Sequence, residues 1–186
     1  MYNGLYITAT GSMAGKSSIA LGVMQLLSRN RRKVAFFRPI INEPVWDDRD
    51  PDIHLILEHF KIRMDYADTF AYTHHEARQI INSGSRNVLL ENIIRKYKKL
   101  LETFDFVLCM GTDFLGKDSV FEFELNAEIA ANLGCPILLV VSGYEASAED
   151  IHDSLQVTME GLKPYGLDVV ASIINRRRLT QSELDD

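Results

Sequence analysis

The sequence has few of the residues on which several classes of protein depend. Only two of its 186 residues are cysteine, Cys109 and Cys135, and each lies in or beside an apolar segment. Two such cysteines do not make the disulfide framework of a small secreted domain, so we expect buried free thiols in a reducing compartment. No apolar run approaches the roughly 18 residues of a membrane-spanning helix, and the start lacks a signal-peptide pattern, so we predict a cytoplasmic location and no membrane partner.

An excess of positive charge is also missing. Lysine and arginine number 20 against 26 aspartate and glutamate, a net charge of -6, and the pI is near 5.4. This balance argues against a nucleic-acid partner bound through bulk positive charge. The hydrophobic share of 46% and mean hydropathy of -0.07 are typical of a globular domain. We assign residues 1–175 to one domain and 176–186 to a polar tail or the start of a linker.

Short β-type segments alternate with helical patterns along the chain. The predicted strands are residues 5–7, 33–37, 104–110, 136–141 and 168–174, and helical periodicity occupies residues 19–27 and 89–101. Ser147, with Asp150 three positions later, predicts the start of another helix, which would bury Ile151, Leu155, Met159 and Leu162. This order predicts a three-layer α/β fold with a mainly parallel sheet and helices on both faces.

The most informative motif joins the first strand to the first helix. Gly15, Lys16 and Ser17 match the end of the G-x-x-x-x-G-K-[ST] phosphate loop, whereas Thr10 stands where the first glycine would fall and Gly11 follows it. Such a loop surrounds phosphate with backbone N–H groups, and its lysine and hydroxyl reach phosphate oxygens and Mg²⁺. The alternative is a helix start that merely caps its own backbone. We predict a P-loop that binds ATP, or another nucleotide or phosphate, through eight residues: Thr10, Gly11, Ser12, Ala14, Gly15, Lys16, Ser17 and Ser18.

Several segments together resemble a known family. Residues 8–17 are similar to the loop of dethiobiotin synthetase. Further along the chain, residues 36–40 resemble a Phe-Lys-Pro-Ile element, residues 89–97 and 104–108 a helix and third strand, and residues 171–176 a Gly-Val-Ile-Ile-Asn-Lys strand end. In this order they resemble the dethiobiotin synthetase-like, P-loop NTPase-like domain at the N-terminus of long-form bacterial phosphate acetyltransferases. That resemblance implies Arg38 and Asn175 as nucleotide-binding residues, with Asn175 meeting the base.

One departure from the family concerns the metal site. The synthetases carry Glu-Gly after the third strand, but Met110-Gly111 stands here, and a thioether is a poor Mg²⁺ ligand. Asp113 is the residue that would compensate, so Ser17 and Asp113 are the predicted metal ligands, with a local backbone acceptor as the alternative for Asp113. We therefore expect weak or absent ATPase activity and no catalytic residue for acetyl transfer in this chain.

Two roles remain open from the sequence. One is a regulatory or structural domain of a phosphate acetyltransferase, and the other is a stand-alone ATP-dependent ligase of the dethiobiotin synthetase or cobyrinic acid a,c-diamide synthase type. The resemblance also implies a homodimer or larger homo-oligomer. Phe114, Leu115 and residues 120–123 are the apolar material for such a contact, unless a short helix buries them within one chain.

The remaining candidates have simpler interpretations. Asp47, Asp48, Asp50 and Asp52 are expected to form a solvated acidic loop rather than to approach a metal at Ser17. His74-His75 followed by Glu76 is interpreted as surface sequence, because adjacent helical residues diverge and no third ligand is suitably spaced. Residues 176–178, three arginines in succession, are expected to be a solvated run of charge.

Overall fold

The computed structural model describes residues 2–29, 33–43, 49–112 and 119–176. Strands and helices alternate along most of this length. The strands are β1 Gly4–Ala9, β2 Val34–Ile41, β3 Phe70–Thr73, β4 Phe106–Met110, β5 Ile137–Ser142 and β6 Val169–Asn175. The helices are α1 Lys16–Arg29, α2 Pro51–Phe60, α3 His74–Asn82, α4 Arg86–Leu101, α5 Ser119–Leu133 and α6 Ala148–Leu162. No helix in the described ranges combines the length and the apolar character needed to cross a membrane.

The six strands form one sheet in the order β3-β2-β4-β1-β5-β6, and every neighbouring pair is parallel. One apolar core lies between the sheet and helices α1 and α2, and a second lies between the sheet and helices α3 to α6. The predicted three-layer α/β fold with a parallel sheet is therefore confirmed. Because all strands run in one direction, their carboxyl ends meet at a single edge, where such folds bind ligands.

Strand side chains alternate between the two cores. On β1, Tyr6 belongs to the core under α3 to α6 and Ile7 to the core under α1 and α2. On β4, Cys109 likewise belongs to the core under α3 to α6 and Met110 to the core under α1 and α2. A strand covered on both faces needs apolar residues at successive positions, which explains the continuous apolar runs in the sequence. Cys109 and Cys135 are buried free thiols, as predicted, and burial raises the pKa of the Cys109 thiol.

The sequence patterns missed or misjudged some elements. Strand β3 is only four residues long, and its side chains are half-buried at the sheet edge, so it carries little periodic signal. The predicted N-cap of α6 is confirmed: Ser147 Oγ accepts from Asp150 N at 3.1 Å, and hydrogen bonds from Ser147 lower the pKa of Asp150. The prediction that this helix buries Met159 is wrong, because that side chain is 44% exposed.

Two of the aromatic residues that suggested an oligomer contact, Phe121 and Phe123, lie on α5. Phe121 and Phe123 are half-buried and pack against the core between the sheet and α3 to α6, and a Cβ on Gly161 would lie 3.0 Å from the Phe123 ring. For Phe121 and Phe123, this packing within one chain is the alternative that the sequence left open. Phe114 and Leu115 lie outside the described residues.

Candidate phosphate-binding site

The loop between β1 and α1 is fixed at both ends. Thr10 N donates to Val140 O of β5 at 3.0 Å, and Gly15 O accepts the helical hydrogen bond of Ile19 N at 3.3 Å. Met13 and Gly15 have positive φ values of 57° and 88°. The loop therefore turns through two left-handed residues immediately before the helix. The first N–H groups of α1, which have no partner inside the helix, form an anion-binding end at the sheet edge.

The predicted site residues differ in exposure. Ala14 and Lys16 are buried, whereas Ser12, Ser17 and Ser18 are exposed, and Thr10, Gly11 and Gly15 are intermediate. Lys16 and Ser17 are the first two residues of α1. Ser17 is exposed at the start of the helix, and its role as a metal ligand stays a prediction.

The two glycines of the loop have different steric surroundings. A Cβ on Gly11 would meet no atom within 4 Å, whereas a Cβ on Gly15 would lie 2.2 Å from Asn175 Nδ2. Gly15 also has a backbone conformation that L residues rarely adopt. The steric and conformational requirement for glycine therefore lies at Gly15 and not at Gly11.

The end of β6 contacts this loop directly. Asn175 Nδ2 donates to Ala14 O at 2.9 Å, and Arg176 Nη1 donates to Met13 O at 3.3 Å. The structure thus brings Asn175 to the phosphate loop, although the two residues are far apart in sequence. Arg176 is exposed, but it is not simply solvated, because its guanidinium also lies over the Tyr144 ring. Sequence reasoning missed Tyr144 because a single aromatic residue in a loop carries no periodic signal.

Arg38 has a different environment from the loop residues. It lies inside β2, three positions before that strand ends, and its side chain is almost completely buried. Its Nη1 lies 2.6 Å from Asp50 Oδ2 and 3.0 Å from Asp52 Oδ2. The Arg38 guanidinium is therefore engaged by carboxylates of α2 and its cap, and its role toward a nucleotide remains a prediction.

The interpretation of the acidic cluster as solvated is wrong for Asp50. That residue is 1% exposed and caps α2, with Oδ1 accepting from Asp52 N and Ile53 N. The same Asp50 carboxylate caps the backbone of α2 and pairs with Arg38. The two interactions together fix its position at the start of the helix. Asp47 and Asp48 lie outside the described residues.

The end of β4 carries no carboxylate within the described residues. Met110 is buried in the core under α1, and Gly111 is so close to α5 that a Cβ would lie 2.5 Å from Asn126 Oδ1. Asn126 Oδ1 accepts from Tyr6 Oη at 2.8 Å and from Thr112 N at 3.0 Å. Burial raises the pKa of Tyr6 well above its ordinary value, so its hydroxyl remains a donor. Asp113, the other predicted metal ligand, lies outside the described residues.

The His74-His75-Glu76 sequence forms the start of α3. Glu76 completes a capping box with Thr73, and His74 Nε2 lies 3.6 Å from Glu122 Oε1. Within residues 2–29, 33–43, 49–112 and 119–176, no group of three or more histidine, cysteine, aspartate or glutamate side chains has the arrangement of a metal site. His75 is exposed, whereas His74 is half-buried beside the buried Glu122.

Comparison with family models decides the classification. The model described as "AAA domain" matches residues 3–183. The chain belongs to the AAA domain family. Because the match covers almost the whole chain, it includes the phosphate loop. This AAA domain is a P-loop nucleotide-binding domain.

Curated relatives of this AAA domain include two phosphate acetyltransferases. It is 56% identical over its full length to the protein from Nitratidesulfovibrio vulgaris Hildenborough, of which it covers 26%. It is 40% identical over 95% of its length to the protein from Synechocystis sp. PCC 6803, of which it covers 25%. The chain thus spans about a quarter of the length of these relatives. An ATP-dependent dethiobiotin synthetase from Sulfurovum sp. NBC37-1 is 28% identical over 86% of the chain and 76% of that protein. The resemblance to the dethiobiotin synthetase-like domain of phosphate acetyltransferases is confirmed.

Solved structures resemble the fold of this AAA domain. A chimeric protein, CapA2B2, has a TM-score of 0.57 and 16% identity, covering 95% of this chain and 76% of its own. A GTPase from Pyrococcus abyssi has a TM-score of 0.53 and 12% identity, covering 98% and 71%. At such identities the likeness shows the fold alone.

Proposed function

We propose that this AAA domain binds ATP at residues 10–17, with Mg²⁺ held at Ser17. The observation that carries the proposal is the loop geometry: two left-handed residues lead into α1, which begins at the buried Lys16 and continues with the exposed Ser17. Backbone N–H groups and the lysine suit the phosphates, and the exposed Ser17 hydroxyl suits the cation. Serine oxygen is a ligand that Mg²⁺ accepts, and the ion would neutralise phosphate charge.

Calorimetry with Lys16→Ala tests the proposal. Losing a charge-assisted contact to phosphate is expected to weaken ATP binding by about 10- to 100-fold. Thermal unfolding of the same variant separates lost affinity from lost folding, since Lys16 is buried. Lys61→Ala, at the carboxyl-terminal cap of α2, is the matched control and should bind ATP as the unchanged chain does. Equal ATP affinity of the unchanged chain and the Lys16 variant would contradict the proposal.

We further propose that this domain turns ATP over slowly or not at all. Rapid phosphoryl transfer needs metal-held charge and a positioned nucleophile, and the buried Met110 occupies the end of β4 where the resembling synthetases carry a glutamate. Phosphate release from ATP with Mg²⁺ should therefore proceed at the same rate in the unchanged chain and in Lys16→Ala. Release that depends on Lys16 would overturn this expectation.

The role that we propose is a regulatory or structural domain of a phosphate acetyltransferase. The 56% identity to one such enzyme, over a quarter of its length, supports it. Acetyl transfer would then belong to the remainder of the longer protein. The full reading frame tests this role: continuation past Asp186 into an acetyltransferase domain agrees with it, and a stop codon there contradicts it.

A second function has its own support. The similarity to a dethiobiotin synthetase extends over 76% of that protein, which fits a stand-alone ATP-dependent ligase. Met110 at the end of β4 argues against it, because a ligase needs a metal-binding acid where this buried thioether lies. Self-association as a homodimer also stays a prediction. It follows from the resemblance alone, because Phe121 and Phe123, which the sequence offered for the contact, pack within one chain.

A further inference from the structure

Two exposed side chains, Tyr144 and Arg176, lie in contact where β6 ends. The guanidinium carbon of Arg176 lies 4.6 Å from the centroid of the Tyr144 ring. Tyr144 is 48% exposed, and Arg176 is also exposed. A guanidinium over an aromatic ring is a favourable contact, and both groups are planar. The pair is therefore ordered yet open to a ligand.

The backbone and the loop fix the position of this pair. Arg176 has a φ of 65°, in the left-handed region that residues other than glycine seldom adopt, and its Nη1 donates to Met13 O. Gly143 N donates to Asn175 O at 2.7 Å, which joins the segment before Tyr144 to the end of β6. Uncommon backbone conformations of this kind tend to occur at ligand-binding positions. Arg176 thus joins the pair to the loop that we propose receives the phosphates.

We propose that the Tyr144–Arg176 pair is the surface on which the nucleobase stacks when the phosphates of a nucleotide occupy the loop. This inference rests on the proposed nucleotide binding. A base extends beyond its phosphates, and the pair presents planar groups next to the Met13 and Ala14 segment. Stacking on an aromatic ring or a guanidinium accepts any base, because each base has a π face. The pair therefore supplies affinity for the base, separate from the contacts that hold the phosphates.

The test compares ATP with inorganic tripolyphosphate, which has the phosphates but no base. In calorimetry, Tyr144→Leu should weaken ATP binding by about 5- to 30-fold, within the usual effect of removing one stacking partner. Arg176→Lys keeps the charge and a donor but loses the planar group, so it should weaken ATP binding in the same direction. Tyr144→Leu should bind tripolyphosphate as the unchanged chain does. Tyr144→Phe keeps the ring and is the matched control, with unchanged ATP affinity.

The outcomes separate this inference from the function on which it rests. If the unchanged chain binds neither ATP nor tripolyphosphate, the proposed nucleotide function fails. If it binds both and Tyr144→Leu leaves ATP affinity unchanged, or weakens ATP and tripolyphosphate equally, the stacking surface is overturned. Both variants should keep the thermal midpoint of the unchanged chain, because both side chains are exposed. A selective loss of ATP binding supports the inference.

Discussion

Arg38→Met is expected to lower the free energy of unfolding by about 3–5 kcal/mol, which is the usual result of leaving one partner of a buried ion pair uncompensated. Arg38 and Asp50 are each 1% exposed, with Nη1 2.6 Å from Oδ2. Asp50 must remain in place because it also caps α2. Urea unfolding measures the loss. Arg38→Lys keeps the charge but not the forked guanidinium, so its free energy of unfolding should lie between those of the unchanged chain and Arg38→Met.

Arg86→Met is the matched control for that substitution. Arg86 pairs with Glu128, but the side chains are 34% and 28% exposed. Solvent screens such a pair, so the expected loss is about 0–1 kcal/mol. A loss at Arg38 no greater than the loss at Arg86 would show that the buried pair does not hold β2 to the start of α2.

Gly15→Ala is expected to weaken ATP affinity by a factor of about 100 or more, because two independent effects displace the loop. The added Cβ would lie 2.2 Å from Asn175 Nδ2, and alanine is strained at a φ of 88°. The amide of Asn175 would have to release Ala14 O to make room. Calorimetry with ATP measures the effect, and circular dichroism checks that the sheet is retained.

Gly11→Ala is the control from the same loop. A Cβ there meets nothing within 4 Å, so ATP affinity should remain within about twofold of the unchanged chain. Equal losses at Gly11 and Gly15 would mean that the loop needs both glycines for conformational freedom, and that contact with Asn175 is not the cause. Gly15→Ala combined with Asn175→Ala relieves the contact but not the strain, so it should recover only part of the affinity.

Much of the fold could be predicted because buried parallel strands leave continuous apolar runs, and because the phosphate loop joins a strand to a helix. Asn175 could be named because residues 171–176 resemble the end of a strand in a known family. The burial of Asp50 could not be predicted, because a cluster of aspartates in the sequence is typical of a solvated loop. Only the fold brings Arg38 against this one. Asn126 was missed as well: an asparagine inside an apolar helix is recognisable as a buried acceptor only when Tyr6 and Thr112 converge on it.

The central position of β1 has a consequence for the order of folding. Its two neighbours are β4 and β5, so Tyr6 pairs with Cys109 on one side and with Ile137 on the other. Both pairings close very long loops, which slows folding relative to a chain with local contacts. During synthesis the first strand must wait for more than two thirds of the chain before its second partner leaves the ribosome. The phosphate loop, whose Thr10 donates to Val140 of that partner, therefore cannot take its final form before β5 has been synthesised.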